Sequence, residues 1–175
     1  MAVFTVIDHE EATGDITDWS KASIPSSYDH LLIVASTRGQ ISAYRDYYKF
    51  ALNGDAVSVA YYSQREIEAF TSTPVSANAD GQGYFRMDGV VGASALADTF
   101  GTIKIWIPNY SQSANFTQVL AQWGLPNNST TNDQWGVGML AGIRNQTEAI
   151  DEVSLGAGDG FVEFSTFTLY GVTGV

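Results

Sequence analysis

Apolar and polar residues alternate along most of the chain with a period of two. Residues 101–112 read GTIKIWIPNYSQ, so three isoleucines at alternate positions fall on one side of the segment and Thr102, Lys104 and Trp106 on the other. This alternation is typical of a β-strand with one buried face. Pro108 has no backbone N–H to donate to a sheet. We therefore expect the strand to end there and the chain to turn outward at Asn109 and Tyr110.

The same alternation recurs from one end of the chain to the other and predicts about ten strands. Strands separated by about 8–12 residues with turn signals between them are typical of an all-β sandwich or barrel. We predict a jelly-roll-like antiparallel β-sandwich, and no shift in composition divides residues 1–175 into more than a single domain. The predicted strands cover residues 3–7, 30–37, 47–52, 57–62, 84–92, 101–107, 116–124, 135–144, 150–156 and 165–172.

The dipeptide Asn53-Gly54 is the strongest hairpin signal, because both residues tolerate the positive φ of a tight primed turn. It predicts pairing between the flanking segments 47–52 and 57–62. The segment 63–70, SQREIEAF, fits either two turns of helix or a kinked strand, and its pattern leaves both open. Residues 74–83 and 124–133 are predicted to be long loops, and GAGDGF at 156–161 a flexible hairpin tip.

Glycine occupies alternate positions of the segment WGVGMLAGIR, at Gly136, Gly138 and Gly142. Glycine weakens a strand, so repeated glycines on one face indicate that something approaches closely. We expect a neighbouring strand or an aromatic side chain to lie over them. A ligand or a sister subunit at that face is the alternative.

Composition narrows the choice of function. The net charge is −11, with 8 basic and 19 acidic residues, and no basic cluster is present. Phosphate binding requires several Lys or Arg side chains together, so we expect neither a nucleic acid nor an anionic membrane surface as a partner. Zero cysteines exclude disulfides and thiolate chemistry. No apolar stretch approaches the length of a membrane-spanning helix.

The candidate metal and proton-transfer residues are few. His9 lies in the run Asp8–Glu11, where two carboxylates beside an imidazole suggest a metal site, but a third distant ligand is not identifiable. We interpret the run as a solvated loop and His30 as a polar residue at the start of a strand. No phosphate-binding glycine loop or nucleophile elbow occurs. We predict no metal and no cofactor.

Five carboxylates are candidates for the pair that glycosidase-type acid and base catalysis needs, with two such groups about 5–10 Å apart. Pairs of this kind arise by chance in an acidic chain, and we predict that the protein is not an enzyme. The five are Glu66, Glu68, Glu148, Asp151 and Glu152. Four tryptophans are candidates for stacking on sugar rings, although burial in the core or at a subunit contact is the simpler interpretation. They are Trp19, Trp106, Trp123 and Trp135.

Several phrases in a fixed order resemble one family, a β-sandwich domain of virion structural proteins in tailed bacteriophages. The resemblance covers most of the chain and rests on turns, strand starts and a closing strand, with no catalytic motif. The segment 61–84 is more charged than the usual insert and is the candidate for a specific surface. The phrases are SIPSSYDHLLI (23–33), ALNGD (51–55), VGASALADTFGTIKIWIPNY (91–110), GIRNQTEAIDEVSL (142–155) and STFTLYGV (165–172).

The resemblance implies a structural protein of the virion, assembled in the host cytoplasm. We expect a capsid decoration (cement) protein that stabilises the head as a homo-oligomer, with a trimer favoured, and that contacts the major capsid protein or other virion proteins. A tail-fibre or spike module that binds a host surface glycan is the alternative. A carbohydrate-active enzyme on a jelly roll is the third hypothesis.

Overall fold

The structure is a computed structural model that describes residues 1–55, 58–70, 73–126 and 135–174. These residues form twelve β-strands and no helix. The strands are β1 (Val3–Glu11), β2 (Ile16–Lys21), β3 (His30–Thr37), β4 (Arg45–Leu52), β5 (Tyr62–Ala69), β6 (Val75–Gln82), β7 (Phe85–Val91), β8 (Gly101–Pro108), β9 (Thr117–Leu125), β10 (Gly136–Arg144), β11 (Val153–Phe161) and β12 (Thr166–Thr173).

The strands form two antiparallel sheets of unequal width. The larger sheet has eight strands in the order β1-β12-β3-β8-β9-β10-β5-β6, and the smaller has four in the order β2-β11-β4-β7. The inner faces of the two sheets share one core of aromatic and branched side chains. The predicted all-β sandwich is therefore confirmed, with twelve strands in place of about ten.

Strand β8 shows how the alternating pattern builds this core. Ile103, Ile105 and Ile107 are at most 1% exposed, while Thr102 and Lys104 on the other side are exposed. Successive side chains of a strand point to opposite faces, so the isoleucines line the sandwich interior. The strand ends at Pro108, as predicted.

The glycines of β10 are covered by aromatic side chains, which confirms the interpretation of close approach. The ring of Trp123 lies directly over Gly138, where an added Cβ would come within 2.2 Å of it, and the same side chain lies over Gly89 of the smaller sheet. The rings of Phe70 and Phe85 cover Gly136 and Gly142. The aromatic groups thus occupy the space that side chains on β10 would have filled.

The side chain of Gln64 joins β5 of the larger sheet to β7, the edge strand of the smaller sheet. The Gln64 amide donates to the carbonyl of Arg86 at 2.8 Å and accepts from the backbone N–H of Arg86, also at 2.8 Å. Gln64 therefore pairs with β7 much as another strand would. This contact links the edge strand of the smaller sheet to the larger sheet.

A buried arginine fixes the turn after β4 to the end of β10. Arg144 is fully buried and donates to Asp55 at 2.6 and 3.1 Å and to Glu148. The Tyr62 hydroxyl donates to the same Asp55 carboxylate at 2.7 Å. Burial alone would lower the pKa of Arg144, but these hydrogen bonds to carboxylates outweigh it and raise that pKa.

The predicted hairpin at Asn53-Gly54 is wrong in its partner strand. Both residues have positive φ, 53° and 65°, so the tight turn itself forms. However, β4 pairs with β7 and β11, while β5 lies in the other sheet. The Asn53 side chain donates to Ala149 O and accepts from Asp151 N, so the turn is bound to the loop before β11. Residues 58–61 form no strand, and residues 56 and 57 lie outside the described part of the chain.

Other predicted segments also differ. The segment 63–70 is strand β5, and most of the predicted loop 74–83 is strand β6, which pairs along β5. GAGDGF is not a hairpin tip, because it lies within β11, where the register shifts between Gly156 and Phe161. Strand β2 was not predicted. Of the predicted loop 124–133, Gly124 and Leu125 belong to β9, and residues 127–133 lie outside the described residues.

The turn after Pro108 does not carry Tyr110 outward. Asn109 has a positive φ of 50° and is exposed, but Tyr110 is only 1% exposed. The Tyr110 hydroxyl donates to the carbonyl of Pro25. This contact turns the ring back toward the core and fastens the loop before β3.

We expect Gly138→Ala to destabilise the sandwich, because the new methyl group would overlap the Trp123 ring, which the smaller sheet also holds in place through Gly89. The free energy of unfolding in urea should fall by about 1–3 kcal/mol. Gly14→Ala is the control, since nothing lies within 4 Å of an added Cβ there, and it should change stability by less than about 0.5 kcal/mol. Equal stability of the two variants would contradict this account.

Candidate functional site: the outer face of the eight-stranded sheet

Outward-facing side chains of the larger sheet form an apolar row across its strands. The register places Tyr170 of β12 beside Leu32 of β3, and Leu32 beside Trp106 of β8. Trp106 in turn lies beside Leu120 of β9, and Leu120 beside Ala141 of β10. Directly opposed residues share a face of the sheet. The row is therefore a continuous apolar path across five strands.

A second row runs beside the first, two residues along each strand. It joins Val34, Lys104, Gln122, Met139 and Ile67. Val34, Met139 and Ile67 are 41%, 52% and 57% exposed. The row is therefore apolar at both ends and polar in the middle. The two rows together are called the outer apolar face below.

The outer apolar face contains a hollow of about 730 Å³ that extends from β8 to β6. Apolar side chains of the two rows line it, and Lys104, Arg65 and Asn78 contribute polar groups. This volume falls within the range of about 300–1,000 Å³ usual for ligand sites, and such sites are mostly apolar with a few polar groups. The largest outward-facing apolar side chains that line it are Trp106, Leu120, Met139 and Ile67.

The charges around the hollow are nearly balanced, unlike those of the chain as a whole. Arg65 forms a two-pronged pair with Asp80, at 2.9 and 3.2 Å, and Lys104 is exposed. Among the described outward-facing positions of β3, β8, β9, β10 and β5, no acidic residue occurs. In a chain of net charge −11, this face is therefore neutral to slightly basic.

The outer face of the four-stranded sheet is polar by contrast. Lys49 and Arg86 lie over the ring of Tyr47, at 5.5 and 4.0 Å from its centre. Arg86 also pairs with Asp88 at 2.9 Å, and Ser154 continues this surface on β11. Charged and hydroxyl groups of this kind keep their contact with water. The two outer faces of the sandwich thus have opposite character.

The four tryptophans divide between core and surface. Trp19 is 1% exposed and stacks on Phe167 with ring centres 5.5 Å apart, and Trp123 is 4% exposed. Trp106 is half-buried in the hollow beside the His30 ring, 4.9 Å away, and Trp135 is 43% exposed. Two of the four candidates are therefore core residues. Trp106 and Trp135 remain accessible to a partner.

Within the part of the chain that the structure describes, neither histidine belongs to a group of side chains that could hold a metal ion. His9 lies in β1 rather than in a loop, and its Nδ1 is 2.9 Å from Thr168 Oγ1, while the neighbouring Asp8 pairs with Lys21 at 3.0 Å. His30 Nδ1 accepts from the backbone N–H of Asn109 at 3.0 Å, which fits a polar residue at a strand start. Within the described residues, no three His, Cys, Asp or Glu side chains lie close enough to hold a metal ion.

Three of the five candidate carboxylates lie near Asn53, at the end of β10 and in the loop before β11. Glu148 accepts from the buried Arg144, and this hydrogen bond lowers the pKa of Glu148. The backbone N–H groups of Asp151 and Glu152 donate to Asn53 Oδ1 at 3.0 and 3.4 Å. The carboxylate of Glu148 is therefore paired with the Arg144 guanidinium. The segment that carries Asp151 and Glu152 holds the turn after β4 in place.

The remaining two carboxylates, Glu66 and Glu68, lie together on the inner side of β5. Glu66 is 8% exposed and accepts from the Gln64 amide at 2.9 Å. Burial, the negative charge of Glu68 and a hydrogen bond to it raise the pKa of Glu66 to about 8, and burial also raises the pKa of Glu68. At neutral pH the pair therefore holds one proton between its two carboxyl groups.

This pair does not have the layout of a glycosidase. A retaining or inverting enzyme holds its carboxyl groups about 5 Å or more apart on either side of a bound sugar. Here the two groups hydrogen-bond to each other, and Glu66 lies opposite the core residue Leu140. The pair lies at the β5–β7 edge, where its proton reduces repulsion within the sandwich.

The outer apolar face was missed as a site, although its signal was present in the sequence. Met139 and Ala141 alternate with the glycines of β10, and the glycines face the core. The side with larger apolar groups must therefore point outward. The sequence pattern shows the alternation, but only the packing of Trp123 on Gly138 shows which side is buried.

Comparisons with known proteins give likenesses of fold only. No family model matches the chain, and no curated protein matches it. Among solved structures, the chain is similar to a toad ovary galectin in complex with thio-digalactose. The identity is 10%, the match covers 88% of this chain and 98% of the galectin, and the TM-score is 0.37.

The chain is also similar to structures of infectious bursal disease virus. For the Gx strain, the identity is 16%, the match covers 98% of this chain and 39% of the viral chain, and the TM-score is 0.14. For the VP2 subviral particle, the identity is 12%, the coverage 98% and 40%, and the TM-score 0.13. The chain spans less than half the length of these viral chains. Likeness at this level assigns no ligand or activity to it.

Within the described part of the chain, no helix has the length and apolar character needed to cross a membrane.

We expect Glu66→Gln to remove a pH dependence of stability. Folded Glu66 keeps its proton up to about pH 8, whereas a carboxyl with the ordinary pKa of 4.5 releases it earlier, so stability falls as pH rises between these values. Glutamine has no such proton, and its amide can still donate to Glu68. Above pH 8 the variant should be more stable than wild type by about 1 kcal/mol or more, since one pKa unit corresponds to about 1.4 kcal/mol.

Denaturant unfolding across this pH range measures the effect. The exposed Glu163→Gln is the control and should keep the slope of the wild type. An unchanged slope in Glu66→Gln would show that Glu66 titrates as an ordinary carboxyl group.

Proposed function

We propose that the chain is a structural protein of a tailed-phage virion, and that it acts as a capsid decoration protein by adhering to neighbouring subunits. The observation that carries the proposal is the outer apolar face, where Leu120, Met139 and Ile67 are 41%, 52% and 57% exposed. The phrases shared with virion β-sandwich proteins support it at the level of sequence. The all-β sandwich fold is the one that this resemblance implies.

The outer apolar face is suited to adhesion for an energetic reason. Burial of apolar surface contributes roughly 25 cal/mol per Å², and soluble monomers rarely expose apolar patches larger than a few hundred Å². A stable interface takes about 800 Å² from each partner. Exposed groups such as Met139, Ile67 and Leu120 supply apolar area of this kind.

A decoration protein would act through many copies. Each contact with the major capsid protein is modest, but a lattice of repeated contacts adds avidity, and it stabilises the shell by resisting separation of its subunits. The polar outer face of the smaller sheet, with Lys49, Arg86 and Asp88, would then face the solvent. The acidic surface elsewhere on the chain limits association at other faces.

Removal of the chain from purified particles tests the proposal. Depleted particles should lose heat or osmotic resistance, with the surviving fraction lower by about ten-fold or more, and added wild-type protein should restore it. Met139→Glu should restore it poorly, because it places a charge on the outer apolar face. Leu96→Glu is the matched control, since Leu96 is equally exposed, at 57% against 52%, but lies in the loop between β7 and β8. Unchanged resistance after depletion would refute a cementing role.

A tail module that binds host glycans is the second candidate, and the observation that favours it is Trp106 in the hollow, with Lys104, Arg65 and Asn78 nearby. An aromatic ring can stack on a sugar while polar groups hydrogen-bond its hydroxyls.

Glycan-array binding separates this candidate from cementing. Binding by the wild type should fall by at least about ten-fold in Trp106→Ala, because the stacking surface is lost. Trp135→Ala is the control, since Trp135 is exposed but does not line the hollow. Absence of binding to any glycan, or equal loss in both variants, would remove this candidate.

A further inference from the structure

The outer face of the larger sheet has an apolar group at one end and the hollow at the other. Phe4 and Val6 of β1 are 54% and 56% exposed, and Phe4 packs edge-on against Tyr170 of β12 with ring centres 6.4 Å apart. Val6 lies directly beside Tyr170 in the register, so it continues the first apolar row to the edge of the sheet. These three residues are called the apolar end below. The hollow lies across β8 to β6, at the opposite end.

We propose that a second copy of this chain covers the outer apolar face, with a two-fold axis parallel to the strands and between β8 and β9. These are the two central strands of the eight. A rotation about this axis reverses the order of the strands and keeps each residue at its level along them. Each row of one copy then lies opposite the same row of the other copy, with the strands in reverse order. The apolar end of each copy meets the hollow of the other.

The side chains that oppose each other in this arrangement are complementary. In the first row, Trp106 of β8 faces Leu120 of β9 in the other copy, and Leu32 of β3 faces Ala141 of β10. In the second row, Val34 faces Met139. These three pairs match apolar groups, whereas Ile67 meets Thr168 and Val6 meets Asn78. Each contact occurs twice because the arrangement is two-fold.

The charged groups are also compatible with pairing. Arg65 faces Tyr170 of the other copy, a combination in which a guanidinium lies over an aromatic ring. Lys104 faces Gln122, an uncharged hydrogen-bonding partner. Among the described residues of the two rows, no like charges oppose each other. Two chains of net charge −11 can therefore meet at this face with little repulsion.

The outer side of the eight-stranded sheet, which includes the outer apolar face, has an area comparable with that of a stable dimer interface. Eight strands of about eight residues, at the usual spacings of about 4.8 Å between strands and 3.4 Å between residues, cover roughly 1,000 Å². A stable interface takes about 800 Å² from each partner. Sheets that pack face to face lie about 10 Å apart. The twist of the sheets and the depth of the hollow decide how much of this area makes contact.

The position of both features on one face favours a pair over a ring. When two copies meet face to face, the apolar end and the hollow of each are engaged at once. A closed ring needs its two contact surfaces on different sides of the subunit, so that each copy meets two neighbours. The outer apolar face therefore indicates two-fold pairing, a state different from the trimer favoured by the sequence resemblance.

Sedimentation equilibrium of the purified full-length protein tests the pairing. The wild type should have twice the monomer mass of 18.9 kDa. Met139→Glu should raise the dissociation constant by about 100-fold or more, because two carboxylates would have to lose water at the contact. Leu96→Glu should leave the mass unchanged, and both variants should keep the wild-type circular dichroism spectrum. A wild-type mass of 18.9 kDa, or three times that mass, would overturn the two-fold pairing.

Cross-linking tests the position of the axis. The chain has no cysteine, so Val34→Cys and Met139→Cys each introduce a single thiol. A bismaleimide with a reach of about 10 Å should link the two variants when they are mixed and allowed to exchange. Neither variant alone should be linked, because β3 and β10 are three strand spacings apart in the sheet order. Equal linking of a single variant alone, or none in the mixture, would overturn the arrangement.

The pairing rests on the proposed function only in assigning the outer apolar face to a protein neighbour. In the pair that neighbour is a second copy of the chain, so contact with the major capsid protein would come from the other surfaces of the pair. The two can therefore fail separately. A monomeric wild type that still restores depleted particles would overturn the pairing and leave the cementing role standing. A dimeric wild type whose removal leaves particle resistance unchanged would overturn the cementing role and leave the pairing standing.

Discussion

The close packing of Trp123 between two glycines, one in each sheet, is the interaction on which the rest of the structure depends. Gly138 lies beneath the ring within the larger sheet, and Gly89 meets it from the smaller sheet. A side chain at either position would push the sheets apart. Because three inner positions of β10 must stay small, Leu140 is its only inner apolar side chain, and Met139 and its other apolar side chains stand on the outer side. The packing of the core and the character of the outer apolar face thus have one cause.

The unequal width of the two sheets has a second consequence. Four strands cannot cover eight, and β1 extends beyond the smaller sheet with most of its residues exposed. Between β5 and β7, the side-chain amide of Gln64 forms two hydrogen bonds with the backbone of Arg86 and so connects the two sheets. The register shifts in β1 and in the β5–β6 pair also interrupt the exposed edges, a common defence against uncontrolled strand pairing. Both features disfavour pairing of strands at these edges.

Alternation in the sequence was enough to predict the sandwich, because each buried strand leaves a period of two, as in the isoleucines of β8. It was not enough to predict which strands pair. Asn53 forms the expected turn, but its side chain binds Ala149 and Asp151, groups almost a hundred residues away, and this sends β4 and β5 to different sheets. Strand β6 and the glycine-rich end of β11 carry turn-like composition, and only their partner strands make them extended. The outer apolar face could not be predicted for the same reason, because the packing of the two sheets decides which side of each strand is buried.

The distribution of acidic residues links solubility to association. Most of the 19 carboxylates lie at edges, turns and the polar face, and the two on the inner side of β5 share a proton, so that Glu66 is close to neutral at pH 7. No carboxylate stands at the described outward positions of β3, β8, β9, β10 and β5. Like-charge repulsion therefore acts on almost every approach of two molecules except the one that brings these faces together. In the proposed pairing, the strong net negative charge would therefore oppose the approach of two molecules least where these faces meet.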